Sequence, residues 1–275
     1  MNEKQYPLKY CPYCATPYST PTRYCETCGE EKLWTIQELQ PAPYPWSPKL
    51  SFLFTALTYG LFTLLTVTIL FYYLVFFGIP LPLIFDLVLY DPRLTVVLTF
   101  SEVVFVVVPI AYVLSLKVNL KKLGLALGGL RTFVVDVGWG LLAGAAFVPL
   151  IVAIASYEIF GTGTTPTLPP GPTNFFWVGL TLLTIVFIVA PAEELLFRGF
   201  LQNSLDAHYG PIGGVLVASI IFGLVHVNPL IGVYQTIIGI FLGLLFQWRG
   251  RRLAAPVAAH AIYDCIIILL NVFVF

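Results

Sequence analysis

Phe187-Ile188-Val189-Ala190-Pro191-Ala192-Glu193-Glu194-Leu195-Leu196-Phe197-Arg198-Gly199 sets two carboxylates and a guanidinium inside a long apolar run. On insertion scales a charged side chain at the bilayer centre costs about 2.5–3.5 kcal/mol. Three of them on one apolar segment therefore need partners or a task. On a helix Glu194 and Arg198 are separated by four positions, share a face and lie within ion-pair reach. Glu193 is rotated about 100° from Glu194 and is left to face something else.

The rest of the chain makes lipid the solvent for this run. Of 275 residues 58% are hydrophobic and only 10% charged, with mean hydropathy +0.88, whereas soluble domains carry about 25% charged residues. Formal net charge is zero and the pI near 6.8, so no bulk field favours nucleic acid, and none is expected as a partner. A crossing helix needs about 20 apolar residues, and such stretches occur near 52–78, 94–116, 132–157, 174–205, 211–230, 231–248 and 253–275. The expected fold is an all-α polytopic membrane protein of about seven or eight transmembrane helices over 51–275. The eighth would be a re-entrant segment near 79–90. Lys49, Lys117, Lys121, Lys122, Arg131, Arg249, Arg251 and Arg252 fall on one face of the seven-span arrangement and only Arg93 on the other. The positive-inside bias puts the N-terminus in the cytoplasm and the C-terminus on the far side of a bacterial-type cell membrane. Lys117–Arg131, too short and basic to span, is expected to lie against anionic lipid.

Two further spans carry ionisable groups. The fifth includes Phe222-Gly223-Leu224-Val225-His226, and the seventh His260-Ala261-Ile262-Tyr263-Asp264, whose two polar ends share a helical face. At about 1.5 Å rise per residue, Glu193, His226, His260 and Asp264 lie at compatible depths, roughly 10–25 Å into the membrane. A carboxylate in a sparsely hydrated site can take a proton from water, and imidazole can polarise a carbonyl, pass protons or bind a metal. Peptide hydrolysis needs these parts.

At these residues the chain resembles the CPBP family of intramembrane peptidases, which includes the type II CAAX prenyl proteases and the bacterial Abi proteins. The family pattern EExxxR, FxxxH and HxxxN or HxxxD appears in order as Glu193–Arg198, Phe222–His226 and His260–Asp264, within roughly 175–270. The resemblance implies an endopeptidase acting on membrane-associated, CAAX-type prenylated peptides. Glu193 would activate the water with help from His226, Glu194 and Arg198 would support the site, and His260 with Asp264 would stabilise the oxyanion or hold a metal. In the metal version a divalent cation would sit on Glu193, His226 and His260. The last motif ends in Asp264, where the prenyl proteases usually carry Asn. A non-catalytic scaffold or a bacteriocin self-immunity protein of the same fold is the alternative, and a proton-coupled transporter a third. A transporter should show paired half-helices or internal repeats, and neither is visible in the sequence. Outside the motifs, Glu102 and Asp136 read as packing or interfacial residues, His208 as a solvated turn residue and Cys265 as a small apolar filler.

The first fifty residues are polar and Pro-rich and hold four of the five cysteines as Cys11-Pro12-Tyr13-Cys14 and Cys25-Glu26-Thr27-Cys28, ten residues apart. Two CxxC pairs at this spacing suit one tetrahedral zinc and predict a cytoplasmic zinc ribbon over 1–35, open to a protein partner, followed by a Pro-rich linker over 36–50. So short a segment has no core, and metal supplies its folding energy. The purified chain should carry one zinc equivalent that Cys11→Ser and Cys25→Ser each abolish; undiminished zinc in both variants would refute the ribbon.

Overall fold

The computed structural model describes residues 45–78, 80, 92–126, 128–149, 175–226 and 229–273. Cys11, Cys14, Cys25 and Cys28, nearly all of 79–90 and the 158–173 loop lie outside the described residues. Among those described there is no strand. Four helices are long and apolar enough to cross a membrane, and a shorter apolar one spans Ala254–Leu270.

Helix α1, Pro48–Phe77, starts on Ser47, whose hydroxyl accepts from Leu50 N, and stops at Gly78 in the left-handed region (φ 61°). Pro48 sits in the first turn, where its missing N–H costs nothing, so residues 48–50 belong to this helix rather than to the linker. Its buried positions are Ser51, Thr55 and Thr58, while Leu53, Leu57, Leu64 and Phe71 are exposed. In water this arrangement would be inverted. In lipid it is the expected one, because apolar side chains gain nothing by hiding from hydrocarbon and small polar ones join helices. The chain is thus an integral membrane protein. Just before α1, Trp46 is buried, stacks on Phe200 and donates from Nε1 to the Phe200 carbonyl (3.3 Å).

Helix α2, Pro92–Thr99, passes through a tighter 3₁₀ turn, Phe100–Glu102, into α3, Val103–Ser115. A hydrogen bond between Ser101 and Thr66 (3.0 Å) ties this turn to α1. Helix α4 is Leu130–Ala145; a turn follows at 146–147, helix resumes at 148–149, and the remainder of the 132–157 span lies outside the described residues.

The long segment Phe175–Leu224 contains α5 (Phe175–Thr184), a π-helical stretch (Ile185–Val189), α6 (Ala190–Glu194), a second π stretch (Leu195–Gln202) and α7 (Asn203–Leu224). Pro191 cannot donate to the carbonyl one turn earlier, which loosens the α-helical register where the first π stretch ends. At Gly210 (φ 77°, ψ 165°) the helix breaks. A Cβ on Gly214 would strike Asp206, eight residues earlier, whereas in an unbroken helix the two would be about 12 Å apart. The chain doubles back here. Helices α8, Pro229–Trp248, and α9, Ala254–Phe273, complete the bundle.

Two glycine contacts set the closest helix crossings. A Cβ on Gly140 or Gly144 of α4 would meet the backbone of Ala255 or Ala259 of α9, and one on Gly223 of α7 would meet Thr236 and the Gly232 carbonyl of α8. At one end of the bundle the turn 249–253 is held by buried carboxylates. Asp136 accepts from Arg249 Nε (2.7 Å) and from Arg252 Nε and Nη2 (2.6 and 3.1 Å), and Asp206 pairs with Arg251 (3.0 Å). The Asp136 hydrogen bonds push the Arg252 guanidinium above its usual proton affinity. Asp136 is therefore a clamp for two arginines rather than a packing residue.

Candidate active site

About 13 residues along the helix from Asp206, roughly 20 Å at 1.5 Å per residue, Glu193 and Glu194 lie on α6 between the two π stretches. The Glu194 side chain is fully buried. Its Oε1 accepts from Arg198 Nη1 (2.8 Å) and from His260 Nδ1 (2.9 Å), so a single oxygen joins α6, the second π stretch and α9. Arg198, also buried, donates from Nη2 to the Gly239 carbonyl of α8 (3.4 Å) and stands over the Phe222 ring at 4.5 Å. A buried guanidinium needs such surroundings, because its charge has no water to turn to.

The bond to Glu194 gives His260 Nδ1 a hydrogen and directs Nε2 to the other side of the ring. There Nε2 lies 3.3 Å from Asp264 Oδ2 and 3.8 Å from Glu193 Oε2. Glu193 and Asp264 remain partly exposed, at 15% and 22% of their side-chain area. The cluster thus has a dry back, Glu194 with Arg198, and a reachable front, Glu193 with Asp264. His226 follows α7, and its Nδ1 donates to the Phe222 carbonyl (2.8 Å). That bond leaves Nε2 of the neutral ring as an acceptor. Phe222 stands edge-to-face with both His226 (ring centroids 5.3 Å) and His260 (5.9 Å), and His226 is within electrostatic reach of His260 and Asp264.

Two residues beyond the motifs join this cluster. Glu102, on the 3₁₀ turn, is within electrostatic reach of Glu193, Asp264 and His260, and Tyr59 of α1 within reach of Glu193, Glu102 and Arg198. Reading Glu102 as packing or interfacial missed this, because no local motif marks it. Its charge in an apolar span was the available signal. His208 is exposed beside Tyr209, and Cys265 is a half-buried free thiol. An apolar cavity of about 410 Å³ between α4 and α8, lined by Trp139, Leu142, Phe241 and Trp248 among others, includes none of these polar residues.

The metal version of the site would set a divalent cation on Glu193, His226 and His260. Among the described residues no group of three or more His, Cys, Asp or Glu side chains is placed to hold one.

Comparison with known proteins points the same way as the motifs. An uncharacterized protein of Bacillus subtilis (strain 168), YpbD, is 34% identical over 89 residues, 31% of this chain and 42% of its own. The match thus spans less than half of that relative. No solved structure matches the chain. The family model for type II CAAX prenyl endopeptidases, Rce1-like, matches residues 174–266, a span that holds all three motifs. Over that span the chain is similar to the Rce1-like type II CAAX prenyl endopeptidases.

Proposed function

We propose that the chain is an intramembrane endopeptidase that hydrolyses membrane-associated peptides, with prenylated CAAX-type peptides as its substrate class. The observation that carries this reading is the convergence of Glu193 and Asp264, from two different helices, on Nε2 of a His260 that Glu194 and Arg198 hold from behind. Glu193 takes a proton from water, whose oxygen then attacks the scissile carbonyl carbon. His226 Nε2 accepts a hydrogen bond from the same water and orients it. The oxyanion that forms is stabilised from the His260 side, where the imidazole is already fixed and need not reorganise. Glu194 and Arg198 act through His260 as positioning residues. The test is release of the C-terminal tripeptide from a farnesylated CAAX peptide by the full chain in liposomes. A wild-type chain that releases none, while an unprenylated control is equally untouched, would refute the reading.

The same proposal sets 117–131 and 249–252 in the cytoplasm, in a seven-span arrangement with the zinc ribbon on that side. A cysteine placed at Lys122 should resist an impermeant thiol reagent in intact cells and react after lysis. Ready labelling in intact cells would reverse the orientation.

A further inference from the structure

Glu102 is the ionisable group of this cluster that the motifs leave without a task. It sits on the 3₁₀ turn between α2 and α3, on a different wall from Glu193 (α6) and from His260 and Asp264 (α9). Helix α3 packs against α6, and the turn packs against the π stretch Ile185–Val189. The Glu102 side chain reaches the electrostatic neighbourhood of Glu193, Asp264 and His260, yet its Oε2 is buried with no hydrogen-bond partner among the described residues. Glu194 Oε2 is likewise buried without a partner, but its carboxylate is held through Oε1 by Arg198 and His260.

Leaving Oε2 buried and unpaired would be costly if it bore charge. The cost is met when the oxygen is a carboxylic O–H with a substrate atom to donate to. The ionisable groups within electrostatic reach of Glu102 are Tyr59 on α1, Glu193 on α6, and His260 and Asp264 on α9. The fixed cation of the cluster, Arg198, has its guanidinium already held by Glu194 and the Gly239 carbonyl.

We propose that Glu102 is a further catalytic residue, the acid that protonates the leaving amine during peptide hydrolysis; this rests on the peptidase reading above. Water gives one proton to Glu193 and its oxygen bonds to the carbonyl carbon. As the tetrahedral intermediate collapses the C–N bond breaks, its electron pair stays on nitrogen, and the Glu102 O–H supplies the proton that completes the amine. Glu193 then returns its proton to Glu102, so both carboxyl groups end as they began and one water has been consumed. Division of labour between two carboxyl groups on different elements spares Glu193 from having to serve both the water and the nitrogen.

Amide and ester leaving groups separate this role from a structural one, because an alkoxide departs far more readily without protonation than an amide anion. The full chain in liposomes would be given a farnesylated CAAX peptide and its depsipeptide, with an ester in place of the scissile amide. Glu102→Gln should lower kcat on the amide by about 100-fold or more, within the range of general acid catalysis, and its loss on the ester should be at least about tenfold smaller. Glu102→Asp, which keeps the acid, should recover part of the amide rate, and Glu193→Gln should lose both substrates. Equal losses on amide and ester, or no loss, in a Glu102→Gln protein that unfolds at the wild-type temperature would overturn the inference and leave the peptidase reading standing. A wild-type chain inert toward both substrates would overturn both.

Discussion

Glu193→Gln should abolish peptide hydrolysis and leave the bundle intact. The amide keeps the shape and size of the carboxyl group but cannot take a proton from water, and loss of a general base typically costs about 10²–10⁴ in rate. Stability should hardly change. The nearest charged partner of Glu193 is His260 Nε2 at 3.8 Å, and its side chain is partly exposed, so no short bond is lost. The measurement pairs kcat on a prenylated peptide with the detergent unfolding temperature of the same preparation. A Glu193→Gln protein within about tenfold of wild type would remove Glu193 from the role of base.

Glu194→Ala should act in the opposite order, on stability first. Glu194 Oε1 receives both Arg198 and His260 in a fully buried setting. Removing one member of a buried ion pair typically costs about 3–5 kcal/mol, because the remaining charge stays buried without compensation. Here Arg198 would keep only the Gly239 carbonyl and the Phe222 face. The result expected is a large drop in unfolding temperature and in membrane yield. Those molecules that do fold should also be slow, since His260 loses the bond that orients its ring. A Glu194→Ala protein as stable as wild type would mean that Arg198 finds water or another anion, and the buried pair would then not be what joins α6 to α9.

Much of this arrangement is visible in the primary structure, for identifiable reasons. Glu194 with Arg198 and His260 with Asp264 are each four residues apart, and helical geometry puts such pairs on one face before any tertiary contact is considered. The reversal near 206–211 is legible from Gly210-Pro211 between two apolar runs. What pairwise spacing could not supply is which faces meet. That His260 turns Nδ1 to Glu194 and Nε2 to Asp264 and Glu193 depends on the crossing of α9 with α6. Glu102 reads from sequence as a packing or interfacial residue because Glu193, His260 and Asp264 are far from it in the chain and the 3₁₀ turn that carries it has no strong local signature. Asp136 was misjudged for a related reason: Arg249 and Arg252 reach it only because the turn 249–253 folds back over α4.

The contact of Gly140 and Gly144 with Ala255 and Ala259 also imposes an order in time. Helix α9 emerges from the ribosome after α4, α6 and α7, and it alone carries His260 and Asp264. Until it packs against those two glycines, Glu194 and Arg198 have each other, but the cluster lacks His260 and has one carboxylate fewer. A nascent chain still short of residue 260 therefore has an incomplete candidate site. The order of synthesis thus leaves the candidate site incomplete until α9 docks.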